Sequence, residues 1–156
     1  MFTIESTAFP HEGEIPRRHT CEGGDVSPSL SWHGIPPGTR SFALIVDDPD
    51  APDPAAPKRV WVHWVRYNLP VEQRELREGA GNRPPDRGLD ALTDAHTMGY
   101  HGPCPPIGRH RYFFHLFALD TLVPDLGLRA TRRDLDAAME GHVLGQAVLM
   151  GMYAKG

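Results

Sequence analysis

A chain of 156 residues is long enough for one sizeable hydrophobic core and short for two. Its apolar fraction of 40%, charged fraction of 23% and net charge of -4 are those of an ordinary globular protein, with no basic footprint for nucleic acid. No apolar run approaches the roughly 18 residues that would read as a membrane span.

The sixteen prolines and sixteen glycines lie between short apolar runs, which predicts an all-β domain with long ordered loops. The start, Met1-Phe2-Thr3-Ile4-Glu5, has neither a basic stretch nor an apolar signal core, so a cytoplasmic location is the expectation. In that compartment Cys21 and Cys104, which form no CxxC spacing, are expected to be free thiols.

In chain order, residues 2–5 alternate apolar and polar and predict a short strand. Residues 6–29 are punctuated by Pro10, Gly13, Pro16, Gly23, Gly24 and Pro28, and read as ordered loop with one extended piece near Glu14-Ile15-Pro16. Leu30-Ser31-Trp32 is a second short strand, and residues 35–39 form a turn. Strong strands follow at 41–47 and 60–68, both apolar on two faces and therefore central and covered on both sides. In the second, Trp61, His63, Val65 and Tyr67 are expected to share a face. Residues 70–98 are mostly polar and predict a long surface excursion.

The stretch Gly99 to Gly108 holds three prolines and three glycines in ten positions, so it is a loop. It feeds a strand at 110–119, in which alternation puts His110 and Tyr112 on one face. Thr131 is a fitting N-cap for one helix at about 131–140, with Asp134 three residues on and Gly141 as the stop. A last strand is predicted at 144–154.

Chemistry concentrates where strands meet proline-glycine loops. Asp48 shares a strand face with Phe42, Leu44 and Val46, so it turns inward and needs a partner; a histidine is the natural one. The cluster from Asp47 to Asp53 fails the EF-hand pattern. For Asp48, His63, His110 and Tyr112 together, three readings compete. Zinc could use two histidines and an aspartate, though the spacings match no compact zinc motif. Cys104 could be a nucleophile, though no helix N-terminus activates it. An anion site is simplest, because imidazolium, tyrosine hydroxyl and loop N–H groups all donate. Such a site would lose affinity as pH rises through about 6.5.

Asp48-Pro49-Asp50-Ala51-Pro52, Trp61-Val62-His63, and Gly102-Pro103-Cys104-Pro105-Pro106 followed by His110-Arg111-Tyr112 resemble the phosphatidylethanolamine-binding protein family. The nearest branch is that of the bacterial and archaeal Raf kinase inhibitor-like proteins. Residues 15–23 and 27–32 fit it as well. The resemblance implies a single domain over residues 1–156, mainly β, with a large antiparallel sheet packed against a smaller sheet and one or two short helices. It implies an anion pocket made by Asp48, Pro52, Trp61, His63, Gly102, Pro103, His110 and Tyr112, with no metal and no cofactor. The expected ligand is a small phosphate-bearing molecule or a phospholipid head group, in a binding or regulatory protein rather than an enzyme. A hydrolase using a His/Asp pair in the same pocket is the alternative. A protein partner such as a kinase and a homodimer, formed through apolar surface near Leu149 and Met152, complete the expectations.

Overall fold

A computed structural model describes residues Met1 to Gly156. Its strands are β1 (Thr3–Glu5), β2 (Gly13–Glu14), β3 (Leu30–His33), β4 (Ser41–Ala51), β5 (Arg59–Pro70), β6 (Glu75–Leu76), β7 (Leu89–Asp90), β8 (His110–Leu119) and β9 (Val143–Tyr153). One helix, α1 (Arg132–Met139), precedes β9. A six-stranded sheet runs in the order β2-β9-β8-β4-β5-β7, and a three-stranded sheet runs β1-β3-β6. All pairings are antiparallel except that of β2 with β9.

The two-sided apolar character of β4 comes from its place between two layers. Phe42, Leu44 and Val46 face the smaller sheet, in a core with Leu30, Trp32, Trp64 and Phe114. Ala43 and Ile45 face the other way, against Val65, Tyr67 and the helix residues Leu135 and Met139. The same alternation sends Asp47 toward the helix, where Arg132 and His115 donate to it, and Asp48 toward the loops at the end of the sheet. α1 starts as its sequence requires: Thr131 and Asp134 form a capping box, and Gly141 follows the end at φ +82.

β5 departs from the simple alternation. Val46 pairs with Trp64 and Asp47 with Val62, so His63 is an extra residue without a counterpart on β4. This β-bulge keeps Trp61 and His63 on the pocket side but leaves Val65 and Tyr67 in the helix-side core. The four residues expected on one face are thus split between two.

Two further expectations need correction, and a third needs detail. Residues 70–98 do run over the surface, most of them exposed or half-buried, but they are anchored to the sheet rather than structureless. Leu76 and Ala91 are buried, and the buried Arg66 binds Asp90 through two hydrogen bonds while donating to the carbonyls of Ala80 and Arg83. Cys21 and Cys104 are not free thiols but a disulfide, joining loops 83 residues apart. The open apolar surface of β9 is Val143, Leu144 and Val148; Leu149 is buried in the core.

Candidate functional site

The strand ends and loops enclose a cavity of about 540 Å³. β4 brings Asp48, β5 brings Arg59, Trp61 and His63, and β8 brings His110 and Tyr112. Pro52 and Lys58 come from the β4–β5 connection. His101, Gly102, Cys104, Pro105 and Pro106 come from the loop before β8, and Cys21 and Asp25 from the N-terminal loop.

The loop before β8 is fixed from both sides. His101 N donates to His63 O at 3.0 Å, and His63 Nδ1 donates to His101 O at 2.6 Å. Gly102 N donates to Asp25 Oδ1 at 2.9 Å, and Cys21 N donates to Pro103 O at 3.1 Å. The Cys21–Cys104 disulfide closes the same junction. A Cβ at Gly102 would lie 2.3 Å from both Asp25 Oδ1 and His19 O, so only glycine allows this approach. Burial pushes the Asp25 carboxyl above its ordinary range, against the Gly102 N–H that favours its charge.

His110 is fully occupied. Its Nδ1 meets Asp48 Oδ2 at 2.6 Å and its Nε2 meets Ile107 O at 2.8 Å. A carbonyl only accepts, so Nε2 carries a proton, and neither ring nitrogen is left for a ligand. The second Asp48 oxygen accepts from Asp50 N at 2.7 Å. Burial raises the Asp48 carboxyl above its usual range, partly offset by the His110 and Asp50 donors. Behind it, Arg111 donates to Asp50 through its backbone N–H and its guanidinium, and these bonds hold Asp50 below the ordinary carboxylate range.

Two residues that line the cavity carry a buried polar atom with no protein partner: His63 Nε2 and Tyr112 Oη. Their rings pack edge to face with centroids 5.3 Å apart. The His63 Nδ1 proton is fixed by the His101 carbonyl. Burial lowers the ring's pKa to about 4, so at neutral pH Nε2 is a lone pair. Burial also holds the Tyr112 phenol protonated, as a donor. The rim carries the positive charge, with Lys58 beside Arg59 and the Arg59 guanidinium 4.6 Å from the Trp61 ring centroid.

Seven of the eight residues expected at the site line the cavity: Asp48, Pro52, Trp61, His63, Gly102, His110 and Tyr112. Pro103 does not; it is buried behind the wall and serves through its carbonyl. Asp25, Lys58, Arg59 and His101 also line it and were not anticipated. Lys58 and Arg59, two cations beside Trp61, were the available signal; Asp25 offered none. The expected imidazolium donors are replaced by a neutral His63 and an internally bonded His110, and the Gly102 N–H is taken by Asp25. No group of three or more His, Cys, Asp or Glu side chains is arranged to hold a metal ion.

A family model described as phosphatidylethanolamine-binding protein matches residues 5–154. A UPF0098 protein of Methanothermobacter thermautotrophicus is 48% identical over 155 residues, covering 98% of this chain and 99% of the relative. One from Aquifex aeolicus is 43% identical, covering 99% and 90%. Among solved structures, the Chlamydia trachomatis phosphatidylethanolamine-binding protein homolog CT736 superposes with a TM-score of 0.90 at 37% identity, covering 99% of this chain and 98% of that one. Escherichia coli YbcL, a member of the same family, superposes with a TM-score of 0.89 at 30% identity and 99% coverage of both chains.

Proposed function

This chain belongs to the phosphatidylethanolamine-binding protein family, and within it we propose a non-enzymatic binding protein for small phosphate-bearing anions, free or carried on a head group. The observation that carries this reading is the pair of buried polar atoms without a protein partner, His63 Nε2 and Tyr112 Oη, on two neighbouring residues that line one cavity. Buried polar groups are nearly always satisfied, and a bound ligand is the natural completion here. Lys58 and Arg59 at the rim supply attraction for an anion. The test is calorimetric titration of phosphate and phosphoethanolamine into the unsubstituted chain and Tyr112→Phe. Saturable binding weakened by the substitution supports the reading, and absence of binding removes it.

Less supports the hydrolase alternative. Cys104 is held in the disulfide, and the His110 of the His/Asp pair presents no free nitrogen to a substrate. The regulatory part of the proposal is that occupancy of the cavity alters what its rim presents to a protein partner such as a kinase. Pairing of two copies through Val143, Leu144 and Val148 on β9 is proposed as well, tested by light scattering at micromolar concentration. No helix is long and apolar enough to cross a membrane. A cytoplasmic setting belongs to the proposal, and alkylation of the thiols in intact cells tests it, because the Cys21–Cys104 disulfide is of a kind uncommon in reducing compartments.

A further inference from the structure

The cavity wall presents hydrogen-bonding atoms of opposite character. Tyr112 Oη is an unpartnered donor; His63 Nε2 is an unpartnered acceptor, because burial without a counter-ion keeps the ring neutral and the His101 carbonyl fixes its one proton at Nδ1. A fully deprotonated oxyanion can only accept, so it would satisfy Tyr112 and set an oxygen lone pair against the His63 lone pair. The other groups at the cavity reinforce this. Asp48 from β4 and Asp25 from the N-terminal loop add two carboxylates to the wall. From β8, His110 directs both ring nitrogens away into Asp48 and Ile107. From the loop before β8, His101 offers His63 only its carbonyl, its Nε2 being bonded to Thr97 Oγ1. Asp47 and Asp94 act on His63 at longer range, and the cations Lys58 and Arg59 also line the cavity.

Building on the anion-binding proposal, we propose that the cavity selects phosphate monoesters in their singly protonated form, with the P–OH donating to His63 Nε2 and an unprotonated oxygen accepting from Tyr112 Oη. The discriminating feature is a proton brought by the ligand. A phosphodiester, as in a phosphatidylethanolamine head group, and a sulfate ester each carry one negative charge but no such proton. They would have to bind with His63 itself protonated, which its burial opposes. The chemistry thus favours the monoester over the diester lipid head group as the source of the phosphate.

Three charge-matched probes test this on the unsubstituted chain: methyl phosphate, dimethyl phosphate and methyl sulfate, titrated by calorimetry from pH 5 to 8. At pH 5.5 methyl phosphate is expected to bind at least ~10-fold tighter than the other two, the factor for a buried acceptor left unpaired. Its affinity should fall about tenfold per pH unit above ~6, where a phosphate monoester loses its second proton. Affinities for the two proton-free probes should already fall about tenfold per pH unit from pH 5 upward, because they draw on the small protonated fraction of a ring whose pKa is about 4, whereas methyl phosphate should hold its affinity up to ~6. Equal binding of all three probes with parallel pH profiles would overturn the proton-selection proposal and leave the anion site standing. Tighter binding of dimethyl phosphate would overturn it in favour of the diester lipid head group. Binding by none of them would remove both proposals.

Discussion

His110 and Asp48 are joined by a buried hydrogen bond of 2.6 Å, and both oxygens of that carboxylate are in use, the second by Asp50 N. An asparagine at position 48 can still satisfy both neighbours. Its oxygen accepts from Asp50 N, and its amide donates to an unprotonated His110 Nδ1 while Nε2 keeps its bond to Ile107. Alanine satisfies neither. Asp48→Asn should therefore cost about 1 kcal/mol in urea denaturation, and Asp48→Ala about 3–5 kcal/mol. Equal losses would contradict this account of the His110 ring.

Tyr112→Phe should move stability and binding in opposite directions. The hydroxyl is buried without a partner, so its removal should raise unfolding stability by about 1–2 kcal/mol in the unliganded protein. The same substitution should weaken phosphate binding by about tenfold. A destabilised variant would mean that the hydroxyl has an internal partner after all.

His63 should link stability to pH. Its pKa is about 4 in the folded protein, against about 6.5 in the unfolded chain. Between these values the unfolded state binds more protons, so stability rises with pH. The contribution, about 3 kcal/mol, is complete above pH ~6.5 and is lost as pH falls through ~4. Urea denaturation of His63→Gln at pH 7 and pH 4 should show a fall smaller than that of the unsubstituted chain by about that amount. Identical pH profiles would count against a neutral, buried ring.

The disulfide should matter to both fold and cavity. Cys21 and Cys104 are 83 residues apart, and the chain-entropy effect of a loop of that length is about 4–5 kcal/mol of stability. Because both residues line the cavity, reduction or the Cys21→Ser, Cys104→Ser double substitution should also weaken phosphate binding. Unchanged affinity after complete reduction would show that the hydrogen bonds through Gly102 and Pro103 suffice to hold the wall.

The long strands were legible in two ways: β4 and β5 are apolar on both faces, whereas β8 and β9 alternate in burial along mostly apolar sequence. The helix α1 announces itself through Thr131 and Asp134. The strand-end residues of the site were legible for a related reason, since a polar side chain on an apolar face must turn into a cavity or find a partner. Asp25 was not, because it sits in an irregular loop at φ +55 and its bond to Gly102 spans 77 residues. The disulfide was hidden behind the expected compartment. The buried Arg66–Asp90 pair was hidden because one charge inside a strand does not reveal which distant carboxylate it meets. β6 and β7, of two residues each, are too short to leave a period.

The bulge in β5 separates the architecture from the chemistry. On either side of His63 the pairs Val46 with Trp64 and Asp47 with Val62 stand in the register that an uninterrupted ladder would have. A chain from which His63 alone was deleted would run from Val62 to Trp64 in ordinary alternation, with every other residue still on its present face. His63 lies within β5 but pairs with no residue of β4. The ladder can thus lose His63 without renumbering its own pairings; what such a deletion removes is the cavity's lone-pair acceptor and the two hydrogen bonds that tie the loop before β8 to the sheet.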